Sequence, residues 1–264
     1  MISVIINYSS LEEPFLKPLL NECLKFSDDI IVSFGTHLYN GTKENISIII
    51  EYQKLYNTVQ FVPYRVDTNL DLYIQVGVNE RPVAYWHNLA RYTGFKKLKN
   101  KEWVLIIDSD EIPEGDKFKQ WLSETKLNIS YIYKLACYWY FKSPIFQSID
   151  IQDSPLLIHY SHLNDTIFFG DWERDHIIRE TKLYLNRFTK SADDQILFHH
   201  YSWVRSIENL EKKITSWGHN NDFNVLKGKS PKDIIQYIFK DNNVNDIIYN
   251  YNYNITDNRF NISL

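Results

Sequence analysis

Val104-Leu105-Ile106-Ile107-Asp108-Ser109-Asp110-Glu111-Ile112-Pro113 runs four apolar residues into three acids and then stops at a proline. An unbroken aliphatic run of this kind reads as a strand buried on both faces. The acids at its exit repel one another, so something must offset them. Asp108 and Asp110 are separated by one residue and share a side on an extended backbone. A divalent cation with oxygen ligands offsets both, and ligand hardness favours Mg²⁺ or Mn²⁺ over Zn²⁺. The alternative is a solvated acidic turn leading into a helix, where Asp and Glu suit the positive end of the helix dipole.

Upstream, the sequence alternates. ISVIIN (2–7), DIIVSFG (29–35) and TVQFVPYRV (58–66) read as strands. Between them, LEEPFLKPLLNECLKF (11–26) keeps Phe15, Leu16, Leu19, Leu20 and Cys23 at helical spacing, and KENISIIIEYQKLY (43–56) reads as a second helix. RPVAYWHNLARYTGFKKL (81–98) is a third, with Pro82 suited to a first helical turn. Strand–helix–strand alternation with near-continuous apolar strands predicts an α/β fold with a mainly parallel sheet flanked by helices. Ligands of such sheets bind outside the carboxyl ends of the strands, which is where the three acids lie.

After 114 the pattern changes. EGDKFKQWLSETKL reads as a helix, ISYIYKLACYWYFK (129–142) as an aromatic strand or pair, and 143–200 as short strands alternating with polar loops. SIENLEKKITSWGH (206–219) and SPKDIIQYIFKD (230–241) read as helices, the second opening on a Ser230/Asp233 capping box. The Asn-rich tail is weakly patterned. With no internal repeat and no linker, one domain over 1–264 is expected.

Bulk composition narrows the function. The chain has 264 residues, 44% hydrophobic, with a net charge of −4 and the charges interspersed, which excludes the basic footprint of a nucleic-acid binder. KKLKNK (96–101) reads as a solvated helix end. Two cysteines, Cys23 and Cys137, sit in apolar settings and exclude a disulfide framework. No run of 18 apolar residues and no signal-peptide pattern occurs, so the expectation is a soluble, cytoplasmic protein without a transmembrane segment.

An apolar strand entering Asp-x-Asp after a βαβαβ half resembles the nucleotide-sugar-dependent glycosyltransferases of the GT-A (Rossmann-like) fold. Phe198-His199-His200-Tyr201-Ser202-Trp203, a helix, and then Ser216-Trp217-Gly218-His219-Asn220-Asn221-Asp222 is similar to the His-x-Ser-Trp stretch and His-containing turn of the branch that includes β-1,4-N-acetylglucosaminyltransferases. The resemblance covers about residues 1–225. It implies a nucleotide-binding half (1–113), an acceptor and metal half (114–225) and a C-terminal helical extension (226–264). It implies a Mn²⁺ or Mg²⁺ ion, with Asp110 as ligand, Asp108 on the ribose or the metal's waters, and His200 as the third group. His199 and His200 point to opposite faces of an extended segment, so only one of them serves. A UDP-sugar such as UDP-GlcNAc is the implied donor, and a glycan or protein hydroxyl the implied acceptor. Asn7, Tyr8, Asn88 and Arg91 fall at the nucleotide edge, Tyr8 for base stacking and Arg91 for phosphate, ribose or a nearby acid. Ser33-Phe34-Gly35-Thr36 departs from the Asp-Asp-Gly-Ser that commonly reads the base. The acceptor hydroxyl needs a carboxylate base, and Gly170-Asp171-Trp172-Glu173-Arg174-Asp175-His176 supplies Asp175, Glu173 and Asp171, in that order of preference, with Asp193-Asp194 as another site.

Three rivals are weaker. Haloacid-dehalogenase-like phosphatases carry their Asp-x-Asp on the first strand, whereas three strands precede it here. Sugar nucleotidyltransferases open with a Gly-rich loop that IINYSSLEEP lacks. A non-catalytic nucleotide- or carbohydrate-binding module has no use for both the Asp pair and the candidate bases.

Overall fold

The computed structural model describes residues 2–38, 41–65, 82–170, 173–216, 228–239 and 250–264. Its four parallel strands are β1 (Ile2–Tyr8), β2 (Asp29–Gly35), β3 (Gln60–Tyr64) and β4 (Trp103–Asp108), set side by side in the order β3-β2-β1-β4. Every residue of β1 and β2 is buried, as a sheet covered on both faces requires. Helices α1 (Glu13–Cys23), α2 (Ser47–Leu55) and α3 (Pro82–Phe95) connect them. On one face Val4, Ile6, Leu105 and Ile107 pack with Phe15, Leu16, Leu19 and Leu20 of α1. On the other, Ile5, Ile31, Val104 and Ile106 meet Phe95 at the end of α3. Gly94 lets α3 approach β1 closely, since a Cβ there would lie 2.5 Å from Ile5 Cγ2.

The sheet then continues in mixed sense. β7 (Phe146–His159) runs antiparallel beside β4 and pairs with β6 (Tyr131–Phe141); β9 (Phe198–Trp203) lies parallel to β6, and β5 (Glu111–Pro113) closes the edge against β9. β8 (Tyr184–Thr189) adds to β6 off this path. Helix α4 (Gly115–Glu124) follows β5, α5 (Arg174–Thr181) precedes β8, and α6 (Ile207–Ser216) and α7 (Pro231–Phe239) follow β9. The architecture is thus the mixed, largely parallel sheet flanked by helices that the sequence predicts. Among the described residues no helix is long and apolar enough to cross a membrane.

One local expectation is revised. Residues 143–200 are not a run of short strands: β6 and β7 form one long hairpin, and α5 follows. Beyond α7, β10 (Tyr253–Ile255) pairs with β7, and Ile262 is buried in the main core. The turn at 217–222 lies outside the described residues. The expected capping box is present: Ser230 Oγ donates to Asp233 Oδ2 at 2.6 Å, and the Asp233 amide donates back to Ser230 Oγ at 3.2 Å.

Candidate active site

The chain leaves β1 to build β2 and β3 on one side, then returns to place β4 on the other. The crevice between the carboxyl ends of β1 and β4 is therefore a topological switch point. Parallel register sets Asn7 beside Asp108, and Asn7 Nδ2 donates to Asp108 Oδ1 at 3.4 Å and contacts His87 Nδ1 at 3.1 Å. A cavity of about 440 Å³ opens here, with Asn7, Asp108, Asp110, Glu173, His200 and Lys213 on its wall.

The helix that packs on β1 arms this crevice. His87, Arg91 and Gly94 follow helical spacing, so the residue that lets α3 approach the sheet sits below the two that reach its end. Arg91, fully buried, donates through Nη2 to Asp108 Oδ1 (2.9 Å) and Glu173 Oε2 (3.1 Å). Arg174 at the start of α5 donates to Asp108 Oδ2 (3.2 Å) and to both oxygens of the buried Glu111 (2.7 and 2.8 Å). Burial alone would raise the Asp108 carboxyl, but the Arg91 and Arg174 charges outweigh it and hold it below its ordinary range.

The second acid has a different escort. Asp110 is buried, its Oδ2 accepting from Arg205 Nη2 at 2.8 Å with Lys213 Nζ at 3.8 Å. Arg205 also holds Glu12 Oε1 at 2.8 Å, and Ser109 Oγ donates to Glu12 Oε2. Burial again pushes the Asp110 carboxyl up, and the His200 imidazole beside it with the Lys213 and Arg205 charges brings it well below its usual range. Burial and the neighbouring Asp110 charge push Glu12 up to about 8; burial and the Arg205 charge bring Lys213 down to about 8.

The free side of Asp110 is the one that fits a cation. Its Oδ1 lies 3.6 Å from His200 Nε2, and among the described residues the buried His200 Nδ1 has no hydrogen-bond partner. The Asp110 oxygen suits a hard cation, and the His200 nitrogen would add a softer ligand beside it. Asp108 does not fit as a direct ligand, because both of its oxygens are engaged by arginines. No set of three His, Cys, Asp or Glu among the described residues gathers to hold a metal alone. A cation here would have to draw on Asp110, His200, water and a ligand's own oxygens.

The remaining expected residues are divided. Glu173 lines the cavity, whereas Asp175 is 59% exposed on α5 and pairs with Lys134 at 3.1 Å. Asp171 lies outside the described residues, and Asp193 and Asp194 sit in an exposed turn. Tyr8 does not reach the cavity: strand alternation that turns Asn7 toward the crevice turns Tyr8 into the core against α1, where burial raises its hydroxyl pKa. Asn88 is buried and donates to the Gly170 carbonyl at 2.8 Å, so it holds the loop before α5. The sequence reading missed Glu12, Arg174, Arg205, Lys213 and Asp153. Arg205 follows Ser-Trp by two positions and Arg174 lies inside the acidic stretch already singled out, so both stood next to a signal.

No protein-family model and no curated protein matches the chain. Solved structures do. A mannosyltransferase from Pyrobaculum calidifontis in complex with GDP-Man and Mn²⁺ aligns at a TM-score of 0.47 and 11% identity, covering 89% of this chain and 68% of that one. An active-site mutant of LgtC aligns at 0.42 and 12%, covering 83% and 92%. A 4-diphosphocytidyl-2C-methyl-D-erythritol synthase aligns at 0.43 and 10%, covering 74% and 92%.

Proposed function

We propose that this chain is a metal-dependent glycosyltransferase that moves one sugar from a nucleoside-diphosphate sugar, a UDP-sugar such as UDP-GlcNAc, to a hydroxyl of a glycan or protein. The observation that carries the proposal is the Asp110–His200 pair, half-satisfied and facing a cavity at the switch point of the sheet. When bound there, Mn²⁺ or Mg²⁺ neutralises charge on the departing diphosphate.

The chain's own residues do the rest. Asn7 and Asp108 face the ribose at the β1/β4 crevice. Lys213, beside Asp110 and donating to Ser202 Oγ at 2.9 Å, faces the diphosphate. Glu173, oriented by Arg91, is the base. The acceptor oxygen attacks the anomeric carbon while its proton passes to the Glu173 carboxylate. The bond from that carbon to the diphosphate oxygen breaks, and its electron pair leaves with the nucleoside diphosphate.

Thermal melting with UDP, with and without Mn²⁺, tests the reading. A ligand at about 100 times its dissociation constant stabilises by about 2.7 kcal/mol, a rise of roughly 5–10 °C for a chain of this size. A rise that requires the metal supports the proposal. No rise with any nucleoside diphosphate removes it.

A further inference from the structure

The cavity has two chemically unlike ends. Toward β1 it is lined by acids and by Lys213, the setting assigned above to the nucleotide. Toward β6, β7 and β8 it is lined by Trp139, Ile151, Asp153, Arg187, Phe188 and Tyr251. Trp139 stands edge-on to His200 with ring centroids 4.7 Å apart, so this second end begins at the imidazole itself. Asp153 is buried and accepts from Arg187 Nε at 2.6 Å and Nη2 at 2.8 Å. Phe188 is 44% exposed at the rim, beneath the Arg187 guanidinium at 5.2 Å.

Phe188 also holds a φ of 50°, a conformation that bulky side chains rarely adopt. Strain of this kind persists only where surrounding structure imposes it, and it concentrates at ligand sites. Here the strained residue presents a large apolar ring to the mouth of a polar cavity instead of to the core. Aromatic walls with a few fixed polar groups suit a neutral molecule that has one apolar face and hydroxyls at its edge. A pyranose has that form. Its C–H face lies on an aromatic ring, and its hydroxyls bond to a carboxylate and a guanidinium.

We infer that the end formed by Phe188, Trp139, Asp153 and Arg187 binds the acceptor as an uncharged pyranose. This rests on the glycosyltransferase reading of the same cavity. The probe is a panel of methyl glucosides, galactosides, mannosides and N-acetylglucosaminides, followed by saturation-transfer NMR with UDP and Mn²⁺ present. The expected result is saturation of at least one pyranoside. Phe188→Asn, which tolerates a positive φ, and Phe188→Leu, which keeps bulk without a flat face, should each weaken it about tenfold. Phe188→Tyr should retain it, and all three should keep the UDP-induced melting shift. If UDP shifts the wild type but no pyranoside binds, or if both non-aromatic variants bind as tightly as wild type, the inference is overturned and the transferase reading stands. If no nucleoside diphosphate gives a shift, both fall together.

Discussion

The two faces of β9 carry the same chemical pair, a carboxylate beside an imidazole, and complete it differently. On one face His199 contacts Glu114 at 3.1 Å through Nε2 and the Tyr140 hydroxyl at 2.8 Å through Nδ1, so both ring nitrogens are engaged. Glu114 also holds Arg259 at 2.7 Å, which fastens the C-terminal tail. Burial favours the neutral Glu114 carboxyl, but the hydrogen bonds from His199 and Lys117 and the His199 and Arg259 charges bring it down to about 2. On the opposite face His200 Nδ1 has no partner among the described residues, and the ring stands 3.6 Å from Asp110. Buried polar groups are normally satisfied, so the complete pair marks structure and the incomplete one marks a place prepared for something else.

Substitutions should separate the two faces. The largest effect on the site is expected of Asp110→Ala, which takes one of the two carboxylates from the buried Arg205 and leaves it Glu12; a hydrogen bond between charged groups is worth about 1.5–3 kcal/mol. Chemical denaturation should record that loss, and the Mn²⁺-dependent UDP shift should vanish with it. A stability close to wild type would mean that Arg205 does not depend on Asp110. Next, Glu173→Gln should lower turnover by about 10²–10⁴, the usual worth of a general base, while the UDP shift persists. Asp175→Asn, two residues along in the first turn of α5 but solvent-facing, should stay within about 0.5 kcal/mol in stability and near wild type in rate. A reversal of these two rates would return the base to Asp175. Smallest in magnitude and sharpest in logic is the exchange of histidines. His200→Ala should abolish the Mn²⁺-dependent UDP shift and barely move the melting point of the free protein. His199→Ala should cost about 1–3 kcal/mol by orphaning buried partners and leave the metal requirement intact. Equal behaviour of the two variants would erase the distinction.

Much of the parallel half is legible because strands buried on both faces are written as unbroken apolar runs, and VLIIDSDEIP ends one of them. The site is only partly so. Asp108 and Asp110 announce themselves as neighbours in sequence, yet one is enclosed by arginines and the other turns toward His200, a difference that only register and packing decide. Tyr8 looked as available as Asn7, and strand alternation separated them. Arg205 and Lys213 read locally as ordinary surface charges; their partners Glu12 and Asp110 lie about a hundred residues or more upstream, and nothing local betrays burial. β7 escaped because FQSIDIQDSPLLIH mixes a half-exposed start with a buried end, which blurs its period. α5 escaped because it is short and charged.

The charges around Asp108 and Asp110 have a consequence for how the molecule comes apart. Glu12 and Asp110 are answered by Arg205, Glu111 by Arg174, and Arg91 is shared with Glu173. Each of these bonds joins the segment before residue 114 to the segment after it. Separated, the first would keep a knot of buried acids with too few cations, and the second would keep arginines with nothing to face. Neither piece is electrostatically solvent on its own, so the two halves of the sheet should melt as one cooperative unit, and a cut in the chain between them should cost the fold before it costs the chemistry.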